Sequence, residues 1–125
     1  MPEPDADLLD ERILAELAAS TDDDIGFVRE LIQMYLADTP MQFDGMSDAV
    51  DADDAAALVR PAHTLKSSSA TVGAVRLSSL ARELEMAGRS GSLDAAARVG
   101  LDAARAEWQA VAAALDAYLN RRAAE

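Results

Sequence analysis

The stretch LDAARAEWQAVAAALDAY, residues 101–118, has the most regular hydrophobic pattern in the chain and decides the fold class. Apolar residues recur at alternating spacings of three and four, at Leu101, Ala104, Trp108, Val111, Leu115 and Tyr118. An α-helix completes a turn in about 3.6 residues, so these side chains form one stripe along one helix. A narrow stripe of this kind is typical of antiparallel helical bundles.

Helical patterns also account for the chain before this stretch, and no segment alternates like a β-strand. A first helix is predicted from about Asp7 to Ala19. A second, with its apolar face on Ile25, Val28, Ile32 and Tyr35, should end at Thr39, because a residue that precedes a proline avoids helical angles. A third would then begin at Pro40, and Gly45 would weaken it.

Three more helices complete the prediction. The fourth begins within DADDAAALV, residues 51–59, leads into the segment that carries His63, and should end at Gly73. The fifth should bury four residues, Leu77, Leu80, Leu84 and Ala87. Two glycines then mark a turn in which Ser92 or Asp94 can cap the last helix. We therefore predict an all-α, antiparallel four-helix bundle with one or two additional short helices on its N-terminal side.

The composition agrees with one small helical domain over residues 1–125, with its core at about 7–122. Apolar residues make up 50% of the 125, and only 4% are aromatic, so small side chains dominate. The formal net charge of −12 argues against binding to nucleic acid or anionic lipid. No apolar run approaches the roughly 20 residues of a membrane span, and no signal peptide is evident, so we expect a cytoplasmic protein.

The segment AHTLKSSSATVGA, residues 62–74, contains the only histidine, His63, and the only lysine, Lys66. On a helical wheel, a buried stripe is predicted for Leu58, Ala62, Leu65, Ser69 and Val72. His63 falls on the opposite side and should face solvent. Val59, Lys66, Ser67 and Ala70 lie one or two turns away on the same face, and most of them are small. The imidazole should therefore be accessible to another protein.

Several kinds of chemistry can be set aside. One histidine without cysteine cannot complete a zinc site, and the aspartate runs at 21–24 and 51–54 lack the spacing of a calcium loop. No glycine-rich phosphate loop is present, so an intrinsic ATP-dependent kinase is not expected. The remaining chemistry is nucleophilic use of the imidazole on an activated phosphoryl group. Lys66 could pair with the phosphoryl oxygens, and Ser67 could donate a hydrogen bond.

The same segment resembles the signature of histidine-containing phosphotransfer (HPt) domains, which reads His-x-x-Lys-Gly followed by small residues and a later glycine. His63, Lys66 and Gly73 match that pattern. The resemblance extends to LARELEMAGRSG, residues 80–91, and back to FVRELIQMYLADTP, residues 27–40. Ser67 departs from it, because the family usually has glycine there. Its hydroxymethyl group could narrow access to the imidazole or contribute a hydrogen bond.

The resemblance implies a monomeric phosphocarrier rather than an enzyme, acting in a two-component phosphorelay. His63 would accept a phosphoryl group from one receiver-domain aspartate and pass it to another, including the receiver of a hybrid histidine kinase. Lys66 and Ser67 would support the phosphoryl group, together with Arg89, which matches a position that is basic in some members. Val59 and Ala70 would lie on the docking face. No cofactor is expected on this chain, since receivers carry the Mg²⁺.

Two rival interpretations remain at this stage. The same face could serve a helical adaptor that binds a receiver or kinase without accepting phosphate. A small hydrolase could use the serines around His63, although no pocket or oxyanion hole is suggested.

Overall fold

The computed structural model describes residues 8–20 and 25–123 and contains five helices within those ranges. They are α1 (Glu11–Ser20), α2 (Ile25–Asp51), α3 (Ala55–Thr71), α4 (Val75–Ser90) and α5 (Ala95–Ala123). Helices α2 to α5 form the antiparallel four-helix bundle that the sequence predicts, and α1 is the additional short helix. No strand is present in these ranges. The predicted start of α1 at Asp7 and the aspartates at 22–24 lie outside the described residues, and residues 8–10 are not helical.

The predicted stripe on α5 is confirmed, with five of its six residues buried and Trp108 half-buried. The indole of Trp108 lies edge-to-face against Tyr35 of α2, with 5.4 Å between the ring centroids. The ring of Phe43, also on α2, lies 6.3 Å away. Offset and edge-to-face contacts of this kind are the preferred geometries of aromatic pairs. This cluster joins α2 to α5 in the bundle core.

The predicted helix break at Thr39–Pro40 is wrong, because α2 continues through Pro40 without interruption. Proline removes one main-chain hydrogen bond and costs a helix about 3 kcal/mol. Burial offsets this cost, since Tyr35, Thr39, Phe43 and Met46 keep one buried face on both sides of the proline. The Thr39 hydroxyl donates to the Tyr35 carbonyl oxygen at 2.6 Å. Tertiary packing therefore overrides the local preference.

Two of the helices begin at an aspartate that caps the helix N-terminus. The Asp54 carboxylate accepts a hydrogen bond from the Ala57 N–H at 3.1 Å at the start of α3. Of the two candidate caps for α5, Asp94 fills the role and accepts from the Ala97 N–H at 3.0 Å. Such caps satisfy N–H groups that have no partner inside the helix.

Gly73 ends α3 as predicted and also contacts the chain before α1. Its φ of 85° lies in the left-handed region, where glycine is favoured. A Cβ at this position would lie 2.5 Å from the Asp10 carbonyl oxygen, so only glycine permits the contact. The Asp10 N–H donates to the Gly73 carbonyl oxygen at 2.8 Å. The segment that leads into α1 is thereby attached to the turn between α3 and α4.

Helix α3 packs most extensively against α4, and this pairing positions the candidate site. The close approach depends on Gly88 of α4. A Cβ there would lie 2.8 Å from the Ala55 carbonyl oxygen and 2.9 Å from Cγ2 of Val59. Near the other end of the pair, the Ser78 hydroxyl donates to the Lys66 carbonyl oxygen at 2.9 Å. Contacts at both ends therefore hold α4 against the helix that carries His63.

Candidate functional site

His63 lies in the middle of α3 with 54% of its side chain exposed. The predicted stripe on the opposite side of this helix is fully buried, at Leu58, Ala62, Leu65, Ser69 and Val72. The helical wheel therefore predicted correctly that the imidazole of His63 is exposed to solvent. Because the other face of the helix is anchored in the core, the ring is presented on a rigid support.

Ser69 is the polar member of the buried stripe, and its hydroxyl is paired. Its Oγ lies 2.7 Å from the hydroxyl oxygen of Tyr35 on α2. Burial raises the pKa of Tyr35 to about 12, against the opposing effect of its hydrogen bonds to Ser69 and Thr39. The phenol therefore stays protonated, and it ties α2 to α3 beneath the exposed histidine.

The main feature that the sequence analysis missed is Glu85 of α4, which is 5% exposed. Its Oε2 lies 3.1 Å from Nδ1 of His63. Its Oε1 lies 2.7 Å from Nζ of Lys66, whose side chain is 31% exposed. A buried carboxylate thus contacts both the only histidine and the only lysine of the chain.

Arg89 completes the cluster from one turn further along α4. Its Nη2 and Nε donate to Oε2 of Glu85 at 2.8 Å and 3.1 Å. The arginine side chain is 62% exposed, so its guanidinium lies at the surface while the carboxylate lies below it. The structure therefore brings His63, Lys66 and Arg89 together around one acidic residue.

These contacts keep Glu85 ionised. The bond to Lys66 is the largest cause that lowers its pKa to about 2, followed by the bond to Arg89. Burial acts in the opposite direction, and the contact with His63 adds a smaller lowering effect. The charge is stable because two cations accompany it, as buried charges require.

The position of Glu85 determines how the imidazole is protonated. An ionised carboxylate can only accept hydrogen bonds, so Nδ1 of a neutral His63 must carry the proton and donate it. Nε2 is then left with a free lone pair. A ring fixed in this tautomer, with more than half its surface open, is suited to attack an electrophile through Nε2.

The other predicted residues of α3 are Val59, Ser67 and Ala70. Ser67 and Ala70 are exposed, and Val59 is half-buried beside Gly88. The Ser67 hydroxyl has no hydrogen-bond partner within the described part of the chain, which leaves it available to a ligand. An open depression between the start of α3 and the end of α4 adjoins the site and is lined in part by Val59, Gly88 and Arg89.

The predicted buried face of α4 needs correction. Leu77 and Leu84 are buried as expected, whereas Leu80 and Ala87 are only half-buried. The buried face is rotated and includes Ala81, Glu85 and Gly88 instead. The available signal was the spacing of these small residues at three and four from Glu85, which places the carboxylate on a tightly packed face.

Residues 8–20 and 25–123 contain no group of three or more histidine, cysteine or acidic side chains arranged to hold a metal ion. Within the same ranges, no helix has both the length and the apolar character that a bilayer crossing requires.

Most of the sequence also matches the profile of a known protein family. Residues 30–122 match the profile of the Hpt domain, and this range includes all the site residues described above. The chain belongs to the Hpt domain family. Its function is accordingly histidine phosphotransfer in a phosphorelay, and Hpt domains act as phosphocarriers rather than kinases. A search of curated proteins found no significant match.

Two solved structures resemble this Hpt domain closely. Histidine-containing phosphotransfer protein B from Pseudomonas aeruginosa PAO1 is 29% identical, with a TM-score of 0.81, over 90% of this chain and 95% of that one. The HPT domain of the Hpt sensor hybrid histidine kinase from Shewanella is 19% identical, with a TM-score of 0.75, over 94% of this chain and 97% of that one. The second likeness shows the fold alone.

Proposed function

We propose that His63 is the phosphoacceptor and that Nε2 is the atom that receives the phosphoryl group. The donor is an aspartyl phosphate on a receiver domain, either free-standing or part of a hybrid histidine kinase. Nε2 attacks phosphorus, the Nε2–P bond forms, and the acyl phosphate P–O bond breaks. The aspartate carboxylate leaves with the electron pair of that bond and remains on the receiver. A second receiver reverses these steps with its own aspartate.

The observation that carries the proposal is the contact of 3.1 Å between Nδ1 of His63 and Oε2 of Glu85. Attack through Nε2 places positive charge on the ring, and the buried carboxylate lies where it can stabilise that charge. An acidic residue assists a catalytic histidine in the same way in hydrolytic triads. The same contact holds the ring at one orientation before the receiver arrives.

The two cations next to Glu85 have a separate role. A phosphoryl group on Nε2 brings negative charge to a chain whose net charge is already −12. Lys66 and Arg89 carry positive charges on side chains that contact the same carboxylate as His63. Both can pair with phosphoryl oxygens, and the Ser67 hydroxyl can donate to one of them.

The remaining machinery belongs to the partner in this proposal. Mg²⁺ and the groups that stabilise the transferring phosphoryl group lie on the receiver, and this chain works as a monomer without a cofactor of its own. Val59 and Ala70 form part of the face on which the receiver docks.

The test is incubation of the purified chain with a phosphorylated receiver, followed by mass spectrometry and by assays of acid and base stability. The wild type should gain one phosphoryl group that is labile in acid and stable in base. His63→Gln should remain helical and gain none, since no other histidine exists. Labelling of His63→Gln at the wild-type level would overturn the proposal. Receiver binding without labelling of the wild type would instead indicate an adaptor.

A further inference from the structure

Oε2 of Glu85 accepts more hydrogen bonds than one carboxylate oxygen ordinarily does. Nδ1 of His63 lies 3.1 Å away, and Nε and Nη2 of Arg89 lie 3.1 Å and 2.8 Å away. The guanidinium and the imidazole therefore share one acceptor. Of these two donors, the guanidinium is the one on a long and mostly exposed side chain, so it is free to move when another anion arrives.

Phosphorylation of Nε2 changes the role of the Glu85 carboxylate beside the ring. When Nε2 carries the phosphoryl group and Nδ1 keeps its proton, the ring is cationic. In onward transfer a receiver carboxylate oxygen attacks phosphorus, the Nε2–P bond breaks, and its electron pair returns to Nε2. With the proton on Nδ1 the departing group is neutral imidazole. Without that proton it is the imidazolate anion, a far poorer leaving group.

We propose that Glu85 is a positioning residue that retains the proton on Nδ1 of phosphorylated His63 and so keeps the ring ready for onward transfer at alkaline pH. This inference rests on the proposed function, because it concerns the second half of the same reaction. Glu85 acts through the histidine and does not touch the phosphoryl group.

The charges around the ring support this assignment. His63 and Lys66 approach the Glu85 carboxylate from α3, and Arg89 approaches it from α4. Within the described ranges, no charged group of α2 or α5 contacts it. A phosphoryl group on Nε2 attracts both cations toward its own oxygens. The carboxylate is then less neutralised, and its attraction for the proton on Nδ1 increases.

The first test measures the ring directly and needs no receiver. The chain is phosphorylated with phosphoramidate, and the pKa of the phosphorylated ring is followed by ¹⁵N NMR in the folded protein and in the same protein unfolded in urea. We expect the pKa in the folded wild type to exceed that in urea by about one unit or more. Equal values in the two states would overturn the proposal, whatever any variant does.

Two variants separate the effect of Glu85 from a general loss of negative charge. Glu85→Gln should bring the folded pKa down to the value in urea. Glu83→Gln removes the same charge from an exposed position two residues away and should leave the wild-type value unchanged. An unchanged pKa in folded Glu85→Gln would contradict the assignment.

The second test follows onward transfer from each phosphorylated protein to one receiver between pH 6 and pH 10. The pH dependence of the receiver is common to both reactions and cancels in the ratio of their rates. The ratio of wild type to Glu85→Gln should rise with pH, by about tenfold per unit between the pKa of the variant ring and the higher pKa of the wild-type ring, and then level off. A ratio independent of pH would overturn the inference. Failure of the proposed function would appear differently, as a wild-type chain that no receiver can label.

Discussion

Lys66 and Glu85 meet across the interface between α3 and α4, with Nζ of the lysine 2.7 Å from Oε1 of the carboxylate. The lysine therefore has a partner before any phosphoryl group is present. This ion pair joins the helix that carries His63 to the helix that carries its acidic neighbour. A residue expected to act only on the phosphoryl group thus also contributes to the geometry of the resting site.

Replacement of this lysine should affect both stability and transfer. In Lys66→Ala, Glu85 keeps its contacts with Arg89 and His63, so we expect a loss of only about 1 kcal/mol in the free energy of unfolding. Transfer from a receiver should slow because one of the two cations is absent. The matched control is Arg76→Ala, which removes a cation that pairs with Glu107 on α5 at 3.1 Å, away from His63. Equal transfer rates in Lys66→Ala and the wild type would count against this role.

The ionised state of Glu85 predicts how stability depends on pH. Its pKa is lowered in the folded chain from an ordinary value of 4.5 to about 2. A carboxyl group with a lowered folded-state pKa stabilises the protein above its unfolded-state pKa, and this contribution is lost as the pH falls through the window from about 4.5 to about 2. Urea denaturation midpoints measured from pH 6 to pH 3 should therefore fall more steeply for the wild type than for Glu85→Gln. Glu83→Gln should follow the wild type, and parallel curves for all three proteins would show that Glu85 is not the group responsible.

Gly88 of α4 and Gly100 of α5 give a matched pair of substitutions. In Gly88→Ala the new Cβ would meet the Ala55 carbonyl oxygen at 2.8 Å, so α4 must move away from α3. We expect a loss of about 1–3 kcal/mol in stability, together with slower transfer because Glu85 moves with its helix. In Gly100→Ala the new Cβ lies 3.6 Å from Cδ2 of Leu84, an ordinary contact. That variant should be as stable as the wild type or slightly more stable. Thermal unfolding and transfer assays on both variants test this, and an equal response of the two would disprove it.

Substitution of a large side chain on the proposed docking face tests where the receiver binds. Ala70 is exposed on the His63 face of α3 and away from the buried stripe. Ala70→Arg should therefore leave the helix intact and obstruct a receiver that approaches the imidazole. Ala113→Arg adds the same side chain at an exposed position on α5 and should transfer normally. Normal transfer by Ala70→Arg would place the receiver elsewhere.

Ser67 is the residue at which this chain departs from the usual family pattern. Ser67→Gly should give transfer that is equal or faster, because the imidazole becomes more accessible. Glycine inside a helix should lower stability by about 0.5–1 kcal/mol. Transfer rates from one receiver to each protein decide between the two possible roles of the hydroxyl. Slower transfer by the glycine variant would show that the hydrogen bond matters more than the space.

The sequence predicted those features that depend on the period of a single helix. The α5 stripe, the exposure of His63 and the buried face of α3 all follow from residues on one helix. The break at Pro40 was predicted wrongly, because its local cost is offset by burial against other helices. The face of α4 was misplaced because Leu80 and Ala87 were counted as buried, whereas the small residues on the packed side, Ala81 and Gly88, were not counted.

Glu85 could not be recognised as part of the site from helix periodicity alone. Its contacts with His63 and Lys66 span about twenty residues of sequence and exist only because two helices pack closely. The residue type gave no signal, since glutamate is ordinarily exposed on a helix surface. The small residues four before and three after Glu85 indicate a packed face, but they do not show which residues of another helix it meets. The close approach at Gly88 is the physical reason for the contact, and it becomes apparent once α3 and α4 are placed together.

The aromatic contact between Trp108 and Tyr35 gives this protein an optical probe. The indole is the only one in the chain, and the phenol against which it packs is hydrogen-bonded to Ser69, six residues beyond His63 on α3. Tryptophan emission therefore comes from one site that senses α2, α3 and α5 together. A receiver that shifts α3 as it docks would change the intensity or the wavelength of that emission. Binding could then be followed in real time by stopped-flow fluorescence, on a native protein that carries no added dye.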